Sequence, residues 1–127
     1  MLFRSLGQSD LPVSRVREIV GSRLIVGVST ENPEQASQAH ADGADLCGIG
    51  PMFPTTTKHK PVLAGPEYLT RYLNDFSLPH LAIGGITPAN IGLLTKLGCR
   101  GVAVSSCVCS ASDPASVCAE LLQALTM

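Results

Sequence analysis

The sequence lacks an excess of charge of either sign: nine Lys and Arg against ten Asp and Glu leave a net charge of −1 over 127 residues. Such a balance offers no basic field for a nucleic acid and no cationic face for an anionic membrane, so neither partner is expected. Long hydrophobic runs are also missing. The longest are strand-sized and contain glycine, which excludes a bilayer-spanning helix from the reading. The stretch Met1 to Leu6 is too short for a signal peptide, and a cytoplasmic location is expected. Length imposes its own limit. A chain of 127 residues supports one domain with a real core, whereas a complete (β/α)8 barrel takes about 200 or more.

Two kinds of chemistry are absent from the pattern. The five cysteines (Cys47, Cys99, Cys107, Cys109 and Cys118) are odd in number, contain no Cys-x-x-Cys and are scattered over apolar segments. This argues against a disulfide framework and against a zinc site. Reduced, small packing residues are expected instead, with Cys107 or Cys109 near enough to a functional loop to be oxidisable. No Ser or Cys stands with a His and an acid in a way that supports nucleophilic catalysis. His40 falls in a helical segment and His80 at a strand start, both read as structural. His59 sits in a polar loop with nothing to orient it.

What is present is an alternation of strand-like and helix-like segments with short connections, the pattern of a parallel α/β sheet. A helix is expected over Leu11–Val20, closed by Gly21, then a strand over Arg23–Ser29. Asn32-Pro33 places a cap before a proline at the first helical position, opening a helix that stops at Gly43. Ala44–Ile49 reads as a strand, Gly50 to about Gly65 as a polar loop and Pro66–Asn74 as a helix. His80–Ile83 follows as a strand, with a helix from Thr87-Pro88 to Gly98. Val102–Val104 is the last strand, and Asp113-Pro114 opens the final helix. Arg4 and Ser5 interrupt the apolar run before the first helix and make Met1–Leu6 a poor strand. The expected architecture is one domain over residues 1–127, made of parallel (β/α) units that form the second half of a TIM barrel.

Barrels of this kind bind phosphate at the loops after their last two strands. Leu81-Ala82-Ile83-Gly84-Gly85-Ile86-Thr87 and Gly101-Val102-Ala103-Val104-Ser105-Ser106 are the two corresponding segments. Gly85 would allow close backbone approach to a phosphate, and Ser106 would add a hydroxyl donor. Between Gly50 and Pro61, three threonines (Thr55, Thr56 and Thr57) and two lysines (Lys58 and Lys60) provide donors and charge for a polyanion; the same composition also describes a solvated loop. Asp10, in Gly7-Gln8-Ser9-Asp10, suits a Mg²⁺ shared with a diphosphate, and by spacing suits equally well an N-cap for the helix that follows. Ser29 ends its strand on the functional face, where it is either a ligand-contacting or a capping residue.

Together these strings resemble the C-terminal half of the thiamine phosphate synthase (thiamine-phosphate pyrophosphorylase) family. They run in family order: Gly7-Gln8-Ser9-Asp10-Leu11-Pro12, Ile25-Val26-Gly27-Val28-Ser29-Thr30, Gly43-Ala44-Asp45, Gly48-Ile49-Gly50-Pro51-Met52-Phe53-Pro54-Thr55-Thr56-Thr57-Lys58, Ala82 through Ile91, and Gly98 through Ser106. The resemblance implies a cytoplasmic transferase that joins hydroxymethylpyrimidine diphosphate to thiazole phosphate and releases diphosphate. It implies Mg²⁺ at Asp10, diphosphate contacts from Ser29 and Lys58, and thiazole phosphate held by Thr55, Thr57, Gly85, Ser105 and Ser106. The family's first three strand–helix units have no counterpart in the sequence, and Glu31 stands where the family often has a histidine. Two other readings stay open: a thiazole tautomerase-like paralogue, and a non-catalytic phosphate-binding half-barrel module. The open edges of a half-barrel lead to the expectation of a homo-oligomer.

Overall fold

The structure is a computed structural model that describes residues 2–55 and 63–126. Among the described residues, five strands form one sheet: β1 (Leu2–Leu6), β2 (Leu24–Thr30), β3 (Leu46–Ile49), β4 (His80–Ile83) and β5 (Val102–Ala103). All neighbouring pairs are parallel and the order is β1-β2-β3-β4-β5. A sequential parallel order never reverses direction across the sheet, so it follows the wall of a barrel and differs from a doubly wound sheet with its switch point. The helices are α1 (Val13–Val20), α2 (Pro33–Ala41), α3 (Gly65–Asp75), α4 (Ile91–Thr95), α5 (Ser106–Cys109) and α6 (Pro114–Thr126).

The register separates the two faces of the sheet, because parallel partners share a face and successive residues alternate. Leu6, Val26, Val28, Thr30, Cys47, Ile49 and Ala82 are buried on one face, in a core that also holds Val13, Val16, Ala36, Ala39, Leu69, Tyr72, Ile91, Leu94 and Leu121 from the helices. The other face carries Phe3, Ile25, Gly27, Ser29, Leu46, Gly48, Leu81, Ile83 and Ala103. Gly27 is small there for a reason: a Cβ would lie 3.0 Å from Leu46 and 3.1 Å from the Phe3 ring. This face is only partly covered, with Phe3 51% and Ile83 39% exposed.

Local signals and observed elements agree at the caps. The Asn32 side chain accepts a hydrogen bond from the Gln35 amide at 2.9 Å, and that of Asp113 accepts from the Ser116 amide at 3.2 Å. Gly21 takes a positive φ of 58° and closes α1 through its amide on the Arg17 carbonyl. Four expectations need correction. Leu2–Leu6 is a full five-residue strand paired to β2 along its length; backbone pairing with a neighbour outweighs the local interruption at Arg4 and Ser5. The first helix begins at Val13, not Leu11. The fourth begins at Ile91, because residues 87–90 form a separate turn in which the Ile91 amide donates to the Thr87 carbonyl at 3.0 Å. The short helix α5 was absent from the sequence reading.

The end of the sheet where the strands begin is tied down by Arg17. Its Nε donates to the Gly43 carbonyl at 3.0 Å, and Nη1 donates to the carbonyls of Gly21 at 3.0 Å and Leu24 at 2.9 Å. Nη2 pairs with the Asp45 carboxylate, which also accepts the Val26 amide at 2.8 Å. The guanidinium fork suits this use, since its donors lie in fixed directions. Nearby, His40 packs against Phe76 and Tyr72, with ring centroids 4.8 and 6.4 Å away, and His80 Nε2 accepts the Arg100 amide. Burial lowers the His80 pKa. Both histidines belong to packing. Of the cysteines, Cys47 and Cys99 are buried, Cys107 is half-buried, and Cys109 and Cys118 are exposed, so the expectation of core cysteines holds for only some of them. Among the described residues, no helix is long and apolar enough to cross a membrane.

Candidate functional site

At the other end of the sheet, where the strands finish, lies an open cleft of about 950 Å³. Every strand contributes to it: Ser5 and the loop Gly7–Asp10 after β1, Ser29, Thr30 and Glu31 at the end of β2, and Gly50, Pro51, Pro54 and Thr55 after β3. Ile83 through Thr87 follow from β4, and Ala103 through Ser106 from β5. Six of the eight residues singled out from sequence therefore line one cavity: Asp10, Ser29, Thr55, Gly85, Ser105 and Ser106. The other two, Thr57 and Lys58, lie outside the described residues, as does His59.

Each of these positions has a local cause. Ser29 is the sixth residue of β2 and stands beside Gly48 in the register, where an added Cβ would lie 3.7 Å from the hydroxyl, at ordinary contact distance. Asp10 does not cap α1, whose N-cap residue is Pro12 and has no side-chain cap. Its Oδ2 instead accepts the Gly7 amide at 2.7 Å, folding the loop back on itself. Gln8 carries that loop to β2, donating from Nε2 to the Ser29 carbonyl at 2.9 Å. The loop holding Asp10 and the strand end holding Ser29 are thus joined directly.

The loops after β3 and β4 are clasped backbone to backbone. The Met52 amide donates to the Ile83 carbonyl at 2.9 Å, and the Phe53 amide to the Gly84 carbonyl at 3.1 Å. The Gly50–Pro51 peptide is cis. Gly85 has φ +64°, and a Cβ there would be 2.9 Å from the Phe53 carbonyl oxygen and closer still to that of Pro54. The sequence alone suggests phosphate clearance for this glycine. The structure shows a different reason, because the space beside its Cα is filled by the neighbouring loop.

Below the cleft, Thr30 Oγ1 lies 2.5 Å from the Tyr68 hydroxyl and 3.0 Å from the Gly48 carbonyl, which fixes β2, β3 and α3 to one another. Burial pushes the Tyr68 pKa up to about 12. Sequence reasoning passed over Thr30, Gln8 and Asn90 as structural contributors. Asn90 accepts the Thr87 amide at 2.8 Å and donates to the Gly85 carbonyl at 2.9 Å. The signal available in the sequence is an amide residue three positions after Thr87, the spacing at which its side chain closes a turn. Among the described residues, the cleft lining contains no Lys or Arg, and no group of three His, Cys, Asp or Glu side chains is arranged to hold a metal.

Sequential parallel strands with a loop-built cleft at their C-terminal ends define a TIM-barrel-like α/β protein in the form of a half-barrel. The family described as thiamine monophosphate synthase matches residues 5–108, and the chain belongs to that family. It is 40% identical over 120 residues to the thiamine-phosphate synthase of Gloeobacter violaceus, covering 94% of this chain and 35% of that protein. With the enzyme of the same name from Laribacter hongkongensis it shares 44% identity over 118 residues, covering 91% of this chain and 55% of the relative. The solved thiamine phosphate pyrophosphorylase from Pyrococcus furiosus superposes with a TM-score of 0.86 at 34% identity, over 96% of this chain and 58% of that one. The chain thus spans between about a third and just over half of the relatives it matches. A 3-hexulose-6-phosphate synthase from Salmonella typhimurium, at 19% identity and a TM-score of 0.72, shares the fold.

Proposed function

We propose that the cleft serves thiamine phosphate synthesis, joining hydroxymethylpyrimidine diphosphate to thiazole phosphate with loss of diphosphate. The observation that carries this reading is the convergence of Asp10, Ser29, Thr55, Gly85, Ser105 and Ser106, drawn from four loops and the end of β2, on one cavity. Two anion-binding ends are implied. Ser29 donates its hydroxyl to the diphosphate, and Lys58, three positions after Thr55 in the sequence, adds a positive charge. Gly85, Ser105 and Ser106 take the thiazole phosphate through backbone and hydroxyl donors, with Thr55 from the same cleft and Thr57, two positions on in the sequence, assigned to the same ligand. Departure of diphosphate leaves a pyrimidine methyl cation, which the thiazole nitrogen captures. The site's task is therefore to favour negative charge on the leaving group.

Mg²⁺ suits Asp10. The carboxylate borders the cleft and is anchored through one oxygen by the Gly7 amide, and this ion takes one or two carboxylates while the substrate's phosphates and water complete its shell. When bound, it would supply neutralisation of the diphosphate charge. Asp10 contributes position, and Gln8 keeps that position in register with Ser29.

The reading also takes the 127 residues as one half-barrel domain in the cytoplasm, acting as a homo-oligomer. The uncovered face bearing Phe3 and Ile83, and the edge strands β1 and β5, support self-association. A non-catalytic phosphate-binding module is the second reading, favoured by the absence of Lys and Arg among the described cleft residues. An assay of the chain with both substrates and Mg²⁺ decides: formation of thiamine phosphate supports the synthase, whereas phosphate binding without product supports the module. Sedimentation as a compact monomer at micromolar concentration would remove the oligomer from the proposal.

A further inference from the structure

Two carbonyl groups of the loop after β4 are taken up by residues that do not border the cleft. The Gly84 carbonyl accepts the Phe53 amide at 3.1 Å, and the Gly85 carbonyl accepts Asn90 Nδ2 at 2.9 Å. Asn90 uses its other end as well, with Oδ1 accepting the Thr87 amide at 2.8 Å. Neither Phe53 nor Asn90 borders the cavity, whereas Gly84, Gly85, Ile86 and Thr87 all do.

The peptide group converts these contacts into a direction. In a trans peptide, C=O and the following N–H lie in one plane and point in opposite directions. A Gly84 carbonyl aimed at Phe53 turns the Gly85 N–H the other way. A Gly85 carbonyl aimed at Asn90 does the same for the Ile86 N–H. Carbonyl dipoles repel an anion and amide N–H groups attract one, so the orientation of these two peptides decides whether the loop accepts a phosphate. The first peptide is held by the backbone clasp to the β3 loop. The second depends on one side chain.

We propose that Asn90 is the positioning residue of the phosphate end of the site: its carboxamide holds the 85–86 peptide with the carbonyl turned outward and the Ile86 N–H turned into the cleft. The inference rests on the thiazole phosphate reading above and adds to it the residue that sets the loop's selectivity for a phosphoryl group. Both hydrogen bonds are required. Oδ1 closes the turn at Thr87, and Nδ2 draws the Gly85 carbonyl out of the cavity. Aspartate keeps the first and forfeits the second, and it places a carboxylate against a carbonyl oxygen.

The test compares thiazole phosphate with the same thiazole lacking its phosphate, titrated by calorimetry into the parent chain, Asn90→Asp and Asn90→Ala. All titrations are run well below each protein's unfolding temperature. The parent is expected to prefer the phosphorylated ligand, and both variants to lose about tenfold or more of that preference, the scale of one hydrogen bond to a charged group. Parallel weakening of both ligands, with the preference unchanged, marks a merely structural residue and overturns the proposal. A parent chain with no preference overturns the phosphate reading itself, a separate result. A measurement on the parent alone guards against variants that do not fold. Adding inorganic phosphate should shift the Gly85 and Ile86 amide resonances in ¹H–¹⁵N spectra, and unmoved resonances at saturating phosphate overturn the inference.

Discussion

Gly84 lies directly against Pro51: a Cβ on this glycine would be 2.7 Å from both Cα and Cβ of the proline and 3.2 Å from the Met52 amide nitrogen. The contact joins the two loops that supply much of the cleft wall, and Gly84 also has φ +104°. A side chain there meets steric conflict and backbone strain together. Gly84→Ala should cost more than about 2 kcal/mol, combining a strained left-handed backbone with overpacking. Gly92→Ala is the matched control. Nothing lies within 4 Å of its added Cβ, and it sits inside α4, so a gain of up to about 1 kcal/mol is expected from helix propensity. Urea unfolding of the two variants measures both. Equal midpoints would contradict the account of the clasp.

The same clasp shows where the sequence was legible. Gly84 and Gly85 stood out as glycines at a strand end, and their place at the cleft follows from the strand–helix alternation. Their partner surface was not legible, because a glycine's neighbours lie more than thirty residues away, at Pro51 to Pro54. Asn32 and Asp113 were readable because a capping bond closes within three residues. β1 was misjudged because what makes Arg4 and Ser5 part of a strand is pairing to Val26 and Gly27, a distant contact. The start of α4 was misplaced for a smaller reason: proline at a first helical turn is a strong signal, but the Asn90 side chain closes a turn before the helix begins.

Thr30 and Tyr68 should behave as a coupled pair. Their oxygens are 2.5 Å apart beneath the cleft, and Thr30 is 1% exposed. Thr30→Val strands the Tyr68 hydroxyl and should cost about 1–3 kcal/mol, since a buried polar group left alone retains its desolvation penalty. Adding Tyr68→Phe removes the stranded group and should restore part of that loss. A double-mutant cycle in urea reads the coupling; purely additive effects would show that the two hydroxyls do not depend on each other.

Asp45 gives the fold a pH dependence of known sign. The Val26 amide is the largest influence holding its pKa below the ordinary carboxylate value; burial opposes it, and Arg17 adds to the lowering by hydrogen bond and charge. A depressed folded-state pKa stabilises the protein above the unfolded value of about 3.9. That contribution is lost as pH falls through the lower folded value. The carboxyl is partly exposed, so solvent screens it and the effect is modest. Asp45→Asn should lower the thermal midpoint at pH 7, with the gap to the parent shrinking as the pH falls below about 4. A gap that widens in acid would reverse the assignment.

The final prediction separates binding from turnover. In the proposed reaction, releasing diphosphate requires positive charge that converges on it, a charge assigned to Lys58 and to Mg²⁺ at Asp10. One carboxylate anchors such an ion without fixing its position, since several of its ligands remain water or substrate. A charge-stabilising donor in such a site is worth about 2.7–4 kcal/mol in the transition state, the scale seen for a single oxyanion-hole donor, so a site with so few depends heavily on each. A site two such donors short of full stabilisation turns over several orders of magnitude more slowly. On the proposed reading, the ground-state hold on thiazole phosphate draws instead on Gly85, Ser105 and Ser106, all of which border the cleft. The 127-residue chain should therefore bind thiazole phosphate measurably while forming thiamine phosphate very slowly. Asp10→Asn should remove the remaining Mg²⁺-dependent turnover and leave thiazole phosphate affinity within about twofold. Calorimetry and a product assay run side by side check this, and rapid turnover that persists in Asp10→Asn would show that the catalytic charge comes from elsewhere.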